Sequence, residues 1–242
     1  MRVWDLSPGY LSRQSLLGEH RELHGIYNII TGQKQGYSRH PETMRWVRAL
    51  PALRLRHALL AEEMALRGYT DRTPLASRRG SCRWPGFVTE PVDQIALLRS
   101  KYGDVLSGRI PLPTGAHQLW AQHKYSVLAR DQGAYREIGR AVARLRRGAS
   151  MDALARDLVA ALRVVPPAGS LVNALQHMWG YVAADAEASH RLLTEQGTAG
   201  LMQAVQALAM TVREPFLLSS TALGELAVFA RPPRRAPVGA GR

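Results

Sequence analysis

The chain reads as all-α, with two helical domains joined by a basic Pro- and Gly-rich segment. Three observations predict this. Apolar residues recur at spacings of three, four and seven through most of the chain. The periodic segments are of helical length and are bounded by Pro, Gly, Ser or Asp. No strand-like alternation of comparable length competes with them. At 242 residues, with 46% hydrophobic against 21% charged residues, the chain has enough material for one large or two modest cores.

The elements follow in order. Residues 1–6, MRVWDL, are short and mixed, and Ser7-Pro8 is a helix-starting pair. Residues 11–32 form the densest stretch: Leu16, Leu23, Ile26, Tyr27 and Ile30 make one apolar face, widened by Leu11 and Leu17. Gln14, Glu19, His20, Arg21, Glu22 and His24 fill the intervening positions. Arg21 and Glu22 point about 100° apart, while Gly18 and Gly25 fall nearly on the line through Gln14 and Arg21. A missing side chain there lets a ligand or a backbone approach. A charged solvent face is the simpler reading of the same pattern.

Pro41 opens a helix to about Leu50, and Pro51 opens another that ends near Gly68. Arg54, Arg56 and His57 lie in its first half and Glu62 and Glu63 in its second. That order runs against the helix dipole, so its basic end is expected to be held by a ligand or by solvent. Residues 70–86 mix turn formers with Arg72, Arg78, Arg79 and Arg83 and read as a basic connector. Helical periodicity resumes over 91–102, a second connector covers SGRIPLPTG, and a run of helices fills the rest to about residue 228. The tail, 229–242, is rich in Pro, Gly and Arg and is expected to be disordered.

The formal charge is +13, from 32 Lys and Arg against 19 Asp and Glu. Lys occurs only at Lys34, Lys101 and Lys124, so the basic side chains are mostly arginines, which grip phosphates bidentately. A polyanionic partner fits this balance, as does an arginine-rich genome composition. Cys82 is the single cysteine, which excludes an internal disulfide and the usual Cys-based zinc sites and suits a reducing cytoplasm. No signal peptide is apparent, and no apolar run approaches the ~20 residues needed to cross a bilayer, so no membrane partner is expected.

A second polar group lies further on. His123, Lys124, Tyr125, Arg130 and Asp131 share one helix and its end, and Asn173, Gln176, His177 and Tyr181 share another. Across two helices these residues make either a buried hydrogen-bond network or a ligand pocket. His117, His123 and His177 lack a metal-ligand spacing, and neither HExxH nor a carboxylate pair accompanies them, so no metal is expected.

Gln14, followed by EHREL at 19–23 and then by RLRHALLAEEMALRGY, resembles the pyrimidine-dimer DNA glycosylases of the phage endonuclease V type, over roughly residues 1–80. The resemblance implies a small all-helical repair enzyme that needs no metal or redox cofactor and acts on double-stranded DNA in the cytoplasm, at the nucleoid. It implies that the amine of the first residue, here Met1, attacks the sugar C1′ and that Glu22 supports imine chemistry and abasic-site strand cleavage. An α-amine with a pKa of about 7.7 to 8.0 is a better nucleophile near neutrality than Lys34. Arg2, Gln14 and Arg21 match family positions at the damaged DNA. Two family side chains are replaced, an Arg by Gly25 and a His by Ser15, so either their contacts pass to His24, Arg39 or Arg45 or the substrate has changed; Arg54 and Arg56 are further candidate phosphate contacts from the basic balance of the chain.

The second half, through HQLWAQHKYSVLARDQGAYREIGR and NALQHMWGYV, resembles the YbgA-type helical domain, over about residues 90–228. That resemblance implies no chemistry. The alternatives are a non-catalytic nucleic-acid-binding or assembly protein and a small-molecule enzyme centred on His123 and His177.

Overall fold

The structure, a computed structural model, describes residues 2–32, 36–75, 82–146 and 148–231. Among them every regular element is helical: α1 Arg13–Gly32, α2 Pro41–Trp46, α3 Leu50–Leu66, α4 Pro91–Tyr102, α5 Ala116–Leu128, α6 Gln132–Ala143, α7 Asp152–Leu162, α8 Ala168–Trp179, α9 Ala188–Thr194, α10 Gly197–Thr211, α11 Pro215–Leu218 and α12 Ala222–Ala230. None of these helices is long and apolar enough to cross a membrane. The expected tail falls almost wholly outside the described residues.

Local signals set most boundaries. Ser7 caps a single 3-10 turn, its Oγ accepting from the Gly9 N–H. Ser12 Oγ accepts from the Ser15 N–H, so α1 begins just inside the periodic stretch rather than at Leu11. His40 Nδ1 accepts from the Glu42 N–H ahead of Pro41. The helix expected over 41–50 stops at Trp46, and α3 starts afresh at Leu50 with Pro51 in its first turn. Gly68, at φ 80°, ends that run in a conformation that suits glycine.

The first core is built on Leu16, Leu23 and Ile26 of α1 and Leu53, Leu60 and Met64 of α3. Ile95, Leu98 and Tyr102 of α4 join it, although α4 follows the basic connector, and Val159 of α7 closes one side. A second core gathers Tyr125 and Leu128 of α5, Leu171 and Met178 of α8, Val205 and Leu208 of α10, and Leu223 and Leu226 of α12. The two halves meet closely where α12 packs on α3.

At that seam the Ile110 N–H donates to the Gly9 carbonyl at 2.9 Å, and a Cβ on Gly108 would lie 2.4 Å from the same oxygen, so only glycine admits the approach. Beside it Arg109 grips both oxygens of Glu63 and the carbonyls of Leu218 and Ser220, while Arg67 takes Glu63 Oε1 and the Leu11 carbonyl. A second buried pair, Arg130 with Glu225, fastens the turn after α5 to α12, and Arg130 also donates to the Leu162 and Val164 carbonyls at the end of α7.

Candidate active site

Glu22 projects from α1 into a groove of about 370 Å³ lined by Arg2, Trp4, Gln14, Ser15, Gly18, Leu97 and Lys101. The peptide N–H of Arg2 donates to Glu22 Oε2, which holds the start of the described chain against this carboxylate. Met1 lies outside the described residues, as does Lys34. The Arg2 guanidinium lies 5.1 Å from the Trp4 ring centroid, over its face. Gly18 leaves its side of the groove open, since a Cβ there would meet nothing within 4 Å. Lys101 Nζ donates to Ser15 Oγ at 3.0 Å, so a cation from α4 stands beside this serine. Lys101 and Leu97 escaped the sequence reading because they follow Glu22 by more than seventy residues, with no motif to connect them.

Gln14, Arg21 and Arg39 are exposed and available to a polyanion. Arg45 and Arg56 are not, which corrects their expected place on phosphates. Arg45 is enclosed by Asp5 and Glu42 and donates to the Gly86 carbonyl. Arg56 chelates Glu19, with Nε to Oε1 at 2.7 Å and Nη2 to Oε2 at 3.0 Å, and donates to the Leu6 carbonyl. The reason is electrostatic: Asp5, Glu19 and Glu42 are buried carboxylates, and each takes the nearest arginine as its counter-charge. Arg56 thereby accounts for part of the basic start of α3, which α1 holds in place of a ligand. Arg54 is half-buried, donating to the Tyr27 hydroxyl at 3.0 Å and lying over its ring.

His24, half-buried, belongs to a side-chain cluster. With His20, one turn back on α1, it meets His57 of α3 and Asp71 beyond α3, and the ligand atoms of the four lie within 4.8 Å of one another. The three ring centroids are 4.7 to 4.8 Å apart. Burial and the charge on His20 lower the pKa of His24 despite Asp71. Burial pushes that of Asp71 up, but His20, the Thr73 N–H and His57 outweigh it and bring it to about 2. The expectation of no metal rested on the His117, His123 and His177 set and on the glycosylase resemblance, and neither bears on this cluster. The overlooked signal was the i, i+4 pair His20 and His24, one face of one helix.

The second polar group divides. His123 is buried with Nδ1–H donating to the Leu119 carbonyl at 2.8 Å, and its ring faces Tyr10 of the first half. Burial lowers its pKa to about 4. Tyr125, two positions on, turns the other way, stacking on His177 and donating to the Tyr181 hydroxyl. Gln176 and His177 are exposed, Asn173 is half-buried, and Lys124 Nζ lies 4.2 Å from the Phe216 ring centroid. Arg130 serves the buried pair with Glu225. The expected convergence of His123 with His177 is therefore corrected, since positions two apart on a helix face opposite ways.

Residues 1–77 match the family described as pyrimidine dimer DNA glycosylase. The first third of the chain is similar to these glycosylases. Residues 124–211 match a family described as a protein of unknown function (DUF1722), and it is this family, rather than the YbgA type specifically, that the second half resembles. No curated protein and no solved structure matches the chain. Glu22 and the groove residues Arg2 to Gly18 fall inside the glycosylase-like region, whereas Lys101 and Leu97 lie beyond both matches.

Proposed function

We propose that the glycosylase-like region is a DNA N-glycosylase with abasic-site lyase activity, acting on pyrimidine dimers or related base damage in double-stranded DNA, and therefore at the nucleoid. The observation that supports it is the Arg2 N–H on Glu22: three covalent bonds separate that nitrogen from the α-nitrogen of Met1, so an amino terminus at Met1 brings a nucleophile to a carboxylate inside an open groove.

The amine attacks C1′ of the damaged nucleotide as the C1′–N bond to the base breaks, and Glu22 offsets the positive charge that develops on the sugar. The departing base takes a proton from water; Glu22 accepts a proton from the attached amine and returns it to O4′ as the sugar ring opens, which gives the protonated imine. Removal of a C2′ proton then expels the 3′ phosphate, and water releases the amine. Reaching the base requires local distortion of the duplex, which exposed Arg2, Arg21 and Arg39 favour by holding phosphates.

Borohydride trapping on ultraviolet-damaged duplex and on abasic-site DNA, followed by peptide mapping, tests this reading. Attachment at Met1 supports it. A second reading comes from Lys101, an amine that lines this groove: attachment there reassigns the nucleophile. Folded, DNA-binding protein that neither cleaves nor traps is a non-catalytic binder.

A further inference from the structure

We propose that His20, His24, His57 and Asp71 form a structural zinc site that fastens the start of the interdomain connector to α1 and α3. This site is separate from the groove, because Glu22 lies two positions from both His20 and His24 and so points away from them on α1.

The ligand set is three imidazole nitrogens and one carboxylate, a combination that suits zinc among the divalent first-row ions. His57 Nε2 faces His24 Nε2 at 3.0 Å, His20 Nε2 is 3.3 Å from Asp71 Oδ1, and His57 Nε2 is 3.9 Å from Asp71 Oδ2. In a tetrahedron with zinc bonds of 2.0 to 2.1 Å the ligand atoms stand about 3.3 Å apart. No pair here exceeds 4.8 Å, so side-chain shifts of at most about 1.5 Å close the shell.

Burial supplies an independent argument. His20 Nε2 is enclosed with only the Asp71 Oδ1 contact at 3.3 Å beside it, and Asp71 Oδ2 accepts no hydrogen bond in a side chain only 1% exposed. Polar atoms left in that state cost free energy that a shared cation would offset. Asp71 is also fixed in place: its Oδ1 accepts the Thr73 N–H at 3.0 Å and faces His20, while Oδ2 faces His57. Thr73 Oγ1 lies 3.0 Å from His24 Nε2 and fills the remaining side. Four protein ligands with no open position describe a structural rather than a catalytic ion. Of the four, Asp71 alone comes from the connector, so the ion would tie that segment to the helix pair.

The test uses the full chain, stripped with chelator and titrated with zinc against a chromophoric competitor, and separately loaded with cobalt(II). We expect one zinc per chain, a rise in the melting temperature on zinc addition, and the visible bands of tetrahedral cobalt. His24→Gln and Asp71→Asn should each weaken zinc binding by more than about 100-fold, whereas His117→Gln, on an exposed histidine, should not change it. Should a variant fail to fold, the cobalt spectrum and zinc-dependent melting of the unaltered protein decide. Absent tetrahedral bands, or zinc binding that both variants leave intact, overturn the proposal.

Discussion

Arg109 chelates Glu63 across the seam between the two halves, its Nη2 2.7 Å from Oε2, with both side chains buried. Burial alone would raise the Glu63 pKa, but Arg109 and Arg67 outweigh it and hold the carboxyl below its usual range. The charged form therefore stabilises the fold above the ordinary carboxylate pKa, and that contribution is lost as pH falls through the lowered folded value. Replacing Glu63 by Gln leaves Arg109 without its counter-charge and should cost about 3 to 5 kcal/mol in urea unfolding. The exposed pair Arg156–Glu90 provides the contrast: Glu90→Gln should cost under about 1 kcal/mol.

Arginines with similar sequence surroundings should separate by phenotype. Arg21→Ala removes an exposed cation, and we expect weaker duplex binding with a salt slope lower by about 1, at unchanged stability. Arg56→Ala abandons the buried Glu19 carboxylate and should instead lower stability by about 3 kcal/mol or more. Equilibrium binding across a salt series, paired with denaturation, distinguishes the two; a change in salt slope for Arg56→Ala without loss of stability would count against this division.

Glu22→Gln keeps the shape of the groove and can still accept the Arg2 N–H, but it removes the charge. Incision of damaged duplex should fall by about 10² to 10⁴-fold while DNA affinity holds or rises, because a negative charge has left the face proposed to meet phosphates. Single-turnover cleavage measured beside equilibrium binding gives the answer. Equal losses in both would assign Glu22 to folding or docking.

His123 should make the protein sensitive to mild acid. Its folded pKa, about 4 through burial, lies below the unfolded value of about 6.5, so the unfolded chain takes up a proton first. Stability is full above the unfolded value and declines as pH falls toward the folded one. His123→Asn, which retains a donor near the Leu119 carbonyl, should be less stable near neutrality yet lose less between about pH 6.5 and 4, as denaturation midpoints at both ends of that range would reveal.

The helical character of the chain was legible without coordinates, because periodicity, Pro41, Pro51, Pro91 and the stop at Gly68 are local signals that act within a few residues of themselves. The glycosylase-like start was legible for the same reason, since Gln14 and the run from Glu19 to Leu23 sit on one helix. Tertiary structure decided the partners. Nothing local distinguishes Arg56, bound to Glu19, from exposed Arg21, because a buried carboxylate claims whichever cation packing brings near. Nor does spacing show that Lys101 reaches the Glu22 groove, that His57 and Asp71 close on His20 and His24, or that His123 turns toward Tyr10 while Tyr125 turns toward His177. Those outcomes depend on how helices distant in sequence cross, and crossing geometry is set by the packing of whole faces rather than by any one motif.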